Sequence, residues 1–129
     1  MVVLMLPLYI RFKALFIAGS IVVTSAVATT VVARQPPPQV VDITAERFSF
    51  TPSEFRVKAG QPVEIRLRSD DTDHGFRIVG TDVNVTIPKR GRGVATVVFE
   101  PPAPGRYTFE CSKLCGAGHS FMRGTLVAE

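Results

Sequence analysis

The pattern of apolar and polar positions divides the chain into three stretches. Residues 14–33, ALFIAGSIVVTSAVATTVVA, form an unbroken run of 20 uncharged residues. That is about the length an apolar helix needs to cross a bilayer. Residues 34–39 hold Pro36, Pro37 and Pro38, which break any helix. From residue 40 the pattern has a period of two. Val63-Glu64-Ile65-Arg66-Leu67-Arg68 sets apolar side chains at odd positions and charges at even ones. Val83-Asn84-Val85-Thr86-Ile87 and Arg106-Tyr107-Thr108-Phe109-Glu110-Cys111 alternate likewise. Such alternation gives a strand one buried face and one wet face. Turn signals separate the strands at Thr51-Pro52-Ser53, Lys58-Ala59-Gly60-Gln61, Pro88 to Gly93 and Pro101 to Gly105. Apolar parity shifts between Ile43 and Phe48, which predicts a bulge or bend near Glu46. No segment past residue 39 sustains a helical period. The pattern predicts an all-β Greek-key sandwich of seven or eight strands over residues 40–129.

The first segment directs export. Arg11 and Lys13 precede the apolar run, and positive flanks stay in the cytoplasm, so the domain is expected on the outer face of the cell membrane. Two readings of this segment stand open. One is a retained single-pass anchor over residues 1–33. The other is a signal peptide with its apolar region at Ala14–Val23, cleaved at Ala26-Val27-Ala28. The proline-rich linker at 34–39 then acts as a short stiff spacer.

Charge adds little. The chain of 129 residues has 15 Lys+Arg and 11 Asp+Glu, a formal charge of +4. Only Arg11 and Lys13 are charged before residue 34; beyond it acids and bases are interleaved with no Lys/Arg block, so no nucleic-acid partner is expected. The β region suffices for one core and excludes a two-domain enzyme. Two cysteines exclude a disulfide-dense scaffold. Nothing pairs a nucleophile with a base, cradles a phosphate or sets two carboxylates together, so no bond-making chemistry is expected.

Candidate chemistry is concentrated in one loop, Cys111-Ser-Lys-Leu-Cys115-Gly-Ala-Gly-His119-Ser-Phe-Met122, and at His74 far upstream. Thiolate, imidazole and thioether form a soft donor set that suits copper better than calcium or magnesium. A second cysteine beside a His, Cys and Met set allows two sulfurs to bridge two metals. Simpler readings exist for each part. Exported cysteines usually oxidise to a disulfide, Met122 alone reads as core filler, and two Cys with two His also suit zinc. Zinc leaves Met122 unexplained and stretches the usual cysteine spacing. Gly116 and Gly118 fit a tight loop needing positive φ.

Taken together, Cys111-x3-Cys115-Gly-x2-His119-x2-Met122 with His74 upstream resembles the dinuclear copper A motif of cytochrome c oxidase subunit II. The similarity runs from about Phe48 to the end, through Phe50-Thr51-Pro52, His74-Gly75-Phe76, Gly80-Thr81, Pro88 and Gly124-Thr125. It is strongest toward the single-helix subunit II of B-type haem-copper oxidases. The resemblance implies a cupredoxin fold and two copper ions bridged by Cys111 and Cys115. It also implies one histidine on each copper, His74 and His119, with Met122 and the main-chain carbonyl of Lys113 as weak ligands. The implied role is electron entry, from a soluble donor such as cytochrome c to a haem-copper subunit I. Relatives often carry Glu at the position of Lys113, so no magnesium site is expected. The chain has no Trp, leaving Phe76 and Phe121 as the expected apolar patch beside the metal loop. A stand-alone exported copper carrier, a copper storage or delivery protein, and a structural zinc or disulfide domain compete with this role. Nitrous oxide reductase uses the same centre but needs a catalytic domain too large for this length.

Overall fold

The computed structural model describes residues 36–129, so the apolar run at 14–33 and the start of the linker lie outside the described residues. Among the described residues no helix is long and apolar enough to cross a membrane. Nine strands follow in chain order: β1 Gln39–Glu46, β2 Ser49–Thr51, β3 Glu54–Val57, β4 Val63–Ser69, β5 His74–Ile78, β6 Asn84–Ile87, β7 Ala95–Phe99, β8 Gly105–Glu110 and β9 Arg123–Ala128. They build a sandwich of two sheets, ordered β2-β1-β4-β7 and β3-β9-β8-β5-β6. Most neighbours are antiparallel; β1 with β4 and β3 with β9 run parallel.

The strands exceed the expected seven or eight because β2 and β3 are only three and four residues long. Stretches that short carry too few alternations to register as separate strands. The parity shift near Glu46 is the bend of the two alternatives and not a bulge. Residues 47 and 48 form a tight turn, after which β2 pairs back on β1 with Ala45 opposite Phe50.

Alternation delivers the core as expected. In β4, Val63, Ile65 and Leu67 are buried, while Arg66 and Arg68 face solvent. Across the sandwich Phe50 meets Phe76 and Phe109 edge-on, with ring centroids 5.9 and 5.4 Å apart, and Phe76 lies tilted against Phe109 at 5.2 Å. Each such pair adds about 0.5–1.5 kcal/mol beyond the area it buries. Phe76 is therefore core and not surface patch: it follows His74 by two residues, on the same inward face of β5. That aromatic layer forms a firm floor beneath the end of the sandwich where β5 begins and β8 ends.

Candidate metal centre

Two chain segments meet at that end. The 111–122 loop joins β8 to β9, and the loop after β4 leads into His74, the first residue of β5. The metal loop is closed by Cys111 N–H donating to the Met122 carbonyl at 3.0 Å. A single 3₁₀ turn, His119–Phe121, then carries the chain into Met122. These bonds bring both ends of the loop to one side, and the sulfurs inward.

His74, Cys111 and Cys115 form the one cluster of His, Cys or acid donors among the described residues whose ligand atoms all lie within 4.8 Å of each other. The two Sγ atoms are 3.7 Å apart, as free thiols. His74 Nδ1 lies 3.9 Å from Cys111 Sγ. Three further expected donors each reach one sulfur: His119 Nδ1 and Met122 Sδ lie 3.8 Å from Cys115 Sγ, and the Lys113 carbonyl lies 3.1 Å from Cys111 Sγ. His74 is fully buried, as is Met122; both cysteines are buried and His119 is half-exposed.

The surrounding groups fix these donors. Asp71 Oδ1 lies 2.7 Å from His74 Nε2. With Nε2–H donating to that carboxylate, the lone pair of Nδ1 points at the sulfurs. Burial alone would raise the Asp71 carboxyl, but hydrogen bonds from His74 and from the Thr72 and Arg47 main chain outweigh it and hold the group below its usual value. Cys115 behaves in the opposite way. Burial, then its contact with Cys111, pushes its thiol up from 9.0 to about 11. In the metal-free protein this thiol therefore keeps its proton at neutral pH, and a metal must displace it. Gly75 N–H donates to Cys111 Sγ at 3.4 Å.

Three features of this end are absent from the sequence reading. Arg47 Nε donates to the Cys115 carbonyl at 2.8 Å, and the neighbouring Phe48 ring lies over Gly116 and Gly118. A Cβ at Gly118 would meet that ring at 2.3 Å. Gly118 itself has φ −91°, so it is small for space rather than for positive φ; Gly116, at φ 140°, does need glycine's freedom. Asp71 was open to discovery, as an acid three residues before a candidate histidine. Nothing local links Arg47 and Phe48 to a loop nearly seventy residues on. The most exposed apolar side chain here is Leu114 at 80%, beside Phe121 at 79%. An open cleft of about 270 Å³ adjoins the donors, lined by Arg77, Glu110, Cys111, His119, Ser120, Met122 and Arg123.

This donor set fits copper. The clustered His74, Cys111 and Cys115 offer two sulfurs and an imidazole, with His119 Nδ1 and Met122 Sδ each 3.8 Å from Cys115 Sγ, and such donors suit a soft or borderline ion better than magnesium or calcium, which require hard oxygens. The cupredoxin-like domain family matches residues 15–128, almost the whole chain. The chain belongs to the cupredoxin-like domain family. Among curated relatives it is 33% identical over 102 residues to two cytochrome c oxidase subunit 2 sequences from Thermus thermophilus. The match covers 79% of this chain, and 74% of one relative and 60% of the other. Among solved structures it resembles the periplasmic domain of oxidase subunit II from Bradyrhizobium japonicum, with TM-score 0.65 at 17% identity, covering 74% of this chain and 88% of that one. It equally resembles auracyanin A, a blue copper protein from Chloroflexus aurantiacus, with TM-score 0.58 at 20% identity, over 72% of this chain and 100% of that one. At such identities the two structures share the fold. This cupredoxin-like domain is thus related in sequence to oxidase subunit 2 and in architecture to stand-alone blue copper proteins as well.

Proposed function

We propose that this cupredoxin-like domain binds copper between His74, Cys111, Cys115, His119 and Met122, and works as a non-catalytic, exported electron carrier. One observation carries the reading: two buried thiols 3.7 Å apart, each with an imidazole Nδ1 3.8–3.9 Å from its sulfur. Bound copper supplies a one-electron couple, and no covalent bond of a substrate changes on this chain. The protein's part is to hold the donors still and keep water out. Asp71 fixes the ring of His74, Arg47 and Phe48 brace the loop, and Phe50, Phe76 and Phe109 close the floor. Little has to rearrange when the charge at the site changes.

The finer form of the proposal is a dinuclear centre. Both sulfurs would be shared by two coppers, with Met122 and the Lys113 carbonyl as the weak ligands. In that form residues 1–33 are the membrane anchor, 34–39 the spacer and 40–129 the copper domain, placed on the outer face to pass electrons from a soluble donor such as cytochrome c to a haem-copper subunit I. The subunit 2 relatives support this form. The likeness to auracyanin A, over 72% of this chain and all of that one, supports the other form, in which the domain acts alone as a diffusing carrier.

Copper stoichiometry and spectrum test the reading. Two coppers per chain with a purple mixed-valence form support the dinuclear centre, and one copper with a blue spectrum supports the stand-alone form. Preferential zinc binding at equal supply refutes both. Cys111→Ser or Cys115→Ser should abolish the centre, since a hydroxyl replaces thiolate poorly for this metal. Met122→Leu should keep the copper and shift its reduction potential. Equal copper loss in all three variants would contradict these roles.

A further inference from the structure

The 111–122 loop is tied to the rest of the domain unevenly. Its Cys111 limb is held from β5, β6 and the residue before β5. Gly75 N–H donates to Cys111 Sγ at 3.4 Å, Ser112 Oγ donates to Asn84 Oδ1 at 2.7 Å, and Lys113 Nζ lies 3.5 Å from Asp73 Oδ2. The limb from Leu114 to Phe121 carries Cys115 and His119 and leads into Met122, so the second cysteine, the second histidine and the thioether all depend on it. Most of its hydrogen bonds are internal. His119 N–H donates to the Gly116 carbonyl at 3.1 Å and Phe121 N–H to the Gly118 carbonyl at 3.0 Å. Arg123 Nη2, just past the loop, donates to the Ser120 carbonyl at 2.7 Å. Among the described residues a single hydrogen bond reaches this limb from outside residues 111–123. It is Arg47 Nε donating to the Cys115 carbonyl at 2.8 Å, with the Phe48 ring over Gly116 and Gly118 beside it.

Arg47 is bonded to the other donor segment as well. Its main-chain N–H donates to Asp71 Oδ2 at 3.0 Å, and Asp71 Oδ1 lies 2.7 Å from His74 Nε2. One residue of the β1–β2 turn therefore stands between the two segments that supply donors, its backbone on one and its side chain on the other. Arg47 is exposed, and an exposed arginine ordinarily points into water or toward a nearby acid. Glu46 precedes it and is exposed too, yet no carboxylate lies within 4 Å of the Arg47 guanidinium among the described residues. The side chain is committed instead to a carbonyl 68 residues away in the chain. A charged donor makes that bond stronger than a neutral one.

We propose that Arg47 is a positioning residue that couples the two halves of the metal centre. The proposal rests on the copper reading of this site and names the group that sets the spacing of its halves. The main-chain N–H fixes the His74 half through Asp71, and the guanidinium fixes the half that carries Cys115 and His119. The donors are thus in place before a metal enters, and less ordering remains for binding to impose. The charge acts on the bound metal in addition. A cation one carbonyl from Cys115 favours the less positive oxidation state of copper, modestly because the group faces solvent.

Three substitutions separate the bond from the charge. Counted along the side chain, Arg47→Gln puts a neutral N–H donor where Nε stands. Arg47→Lys keeps the charge with a methylene at that place, and Arg47→Met removes both. Amide hydrogen exchange of the metal-free full-length chain, followed by NMR, reads the positioning. The His119 and Phe121 amides should exchange about tenfold faster or more in the Lys and Met variants and close to parent in the Gln variant. Amides of residues 71–75 and 111–113 should keep parental rates in all three. After copper loading, the one-electron reduction equilibrium constant should fall about threefold in the Gln and Met variants and stay near parent in the Lys variant. Parental exchange in Arg47→Met, exchange quickened throughout the domain, or a potential unmoved in all three variants overturns the proposal and leaves an ordinary stabilising contact. A parent chain that takes up no copper refutes the copper reading, and the exchange pattern then decides by itself whether Arg47 joins the two segments.

Discussion

Replacing Gly75 by alanine adds one methyl group where β5 passes beneath the metal loop. An ideal Cβ there would sit 2.2 Å from Ser112 Oγ, 2.6 Å from Lys113 N and 2.8 Å from Ser112 N. The hydroxyl can rotate away; the two main-chain nitrogens cannot. Restoring ordinary contact requires the loop to retreat by roughly 0.6–0.8 Å, and overpacking of this kind costs about 1–3 kcal/mol. The same retreat stretches the Gly75 N–H bond to Cys111 Sγ, now 3.4 Å. For a domain of this size each kcal/mol corresponds to about 4–8 °C in Tm. The metal-free Gly75→Ala chain should therefore unfold about 4–24 °C earlier by circular dichroism, with copper uptake weakened because Cys111 and the Lys113 carbonyl move together. Gly60→Ala is the control. Its φ of +67° strains an alanine, but nothing lies within 4 Å of the added Cβ. It should cost about 1–2 kcal/mol in strain and leave copper uptake intact. A Gly75→Ala chain with parental copper spectrum and a Tm within a few degrees of parent would refute the claim that this contact sets the loop's height.

Gly118→Ala should be costly alone and much less so in a Phe48→Ala background, because the three atoms nearest its added Cβ all belong to Phe48, the closest at 2.3 Å; additive losses in a double-mutant cycle would contradict that contact. In the metal-free chain the Cys115 thiol, raised to about 11 chiefly by burial, should alkylate about a hundredfold more slowly at pH 8 than a thiol of pKa 9. Peptide mapping after iodoacetamide treatment measures this, and an unfolded-like rate would refute it. The linked stability is full below pH 9, where folded and unfolded thiols are both protonated, and is lost as pH rises through 11. Denaturant midpoints across pH 8–11 should fall accordingly.

Much of this protein is legible in its sequence because the signals are local. Alternation in Val63–Arg68 places every β4 side chain on the correct face, since a pleated strand allows only two directions. The 111–122 loop carries its cysteines, histidine and methionine within twelve residues, so their proximity follows from chain connectivity. His74 lies 37 residues before Cys111 and was recognised only through resemblance to a known motif. Tertiary structure alone decided the rest. Phe76 was expected at the surface and lies in the core, because a residue two positions after inward-facing His74 must also face inward. Gly118 was credited with a backbone role, whereas its small size makes room for Phe48, which arrives from the β1–β2 turn on the other sheet. Arg47 reaches the Cys115 carbonyl across 68 residues of chain. The β6–β7 loop reaches the metal end only because β6 pairs with β5 so that Ile87 stands opposite His74. Short-range periodicity encodes which way a side chain faces; which distant side chain it then meets depends on how the two sheets close, and no local pattern carries that information.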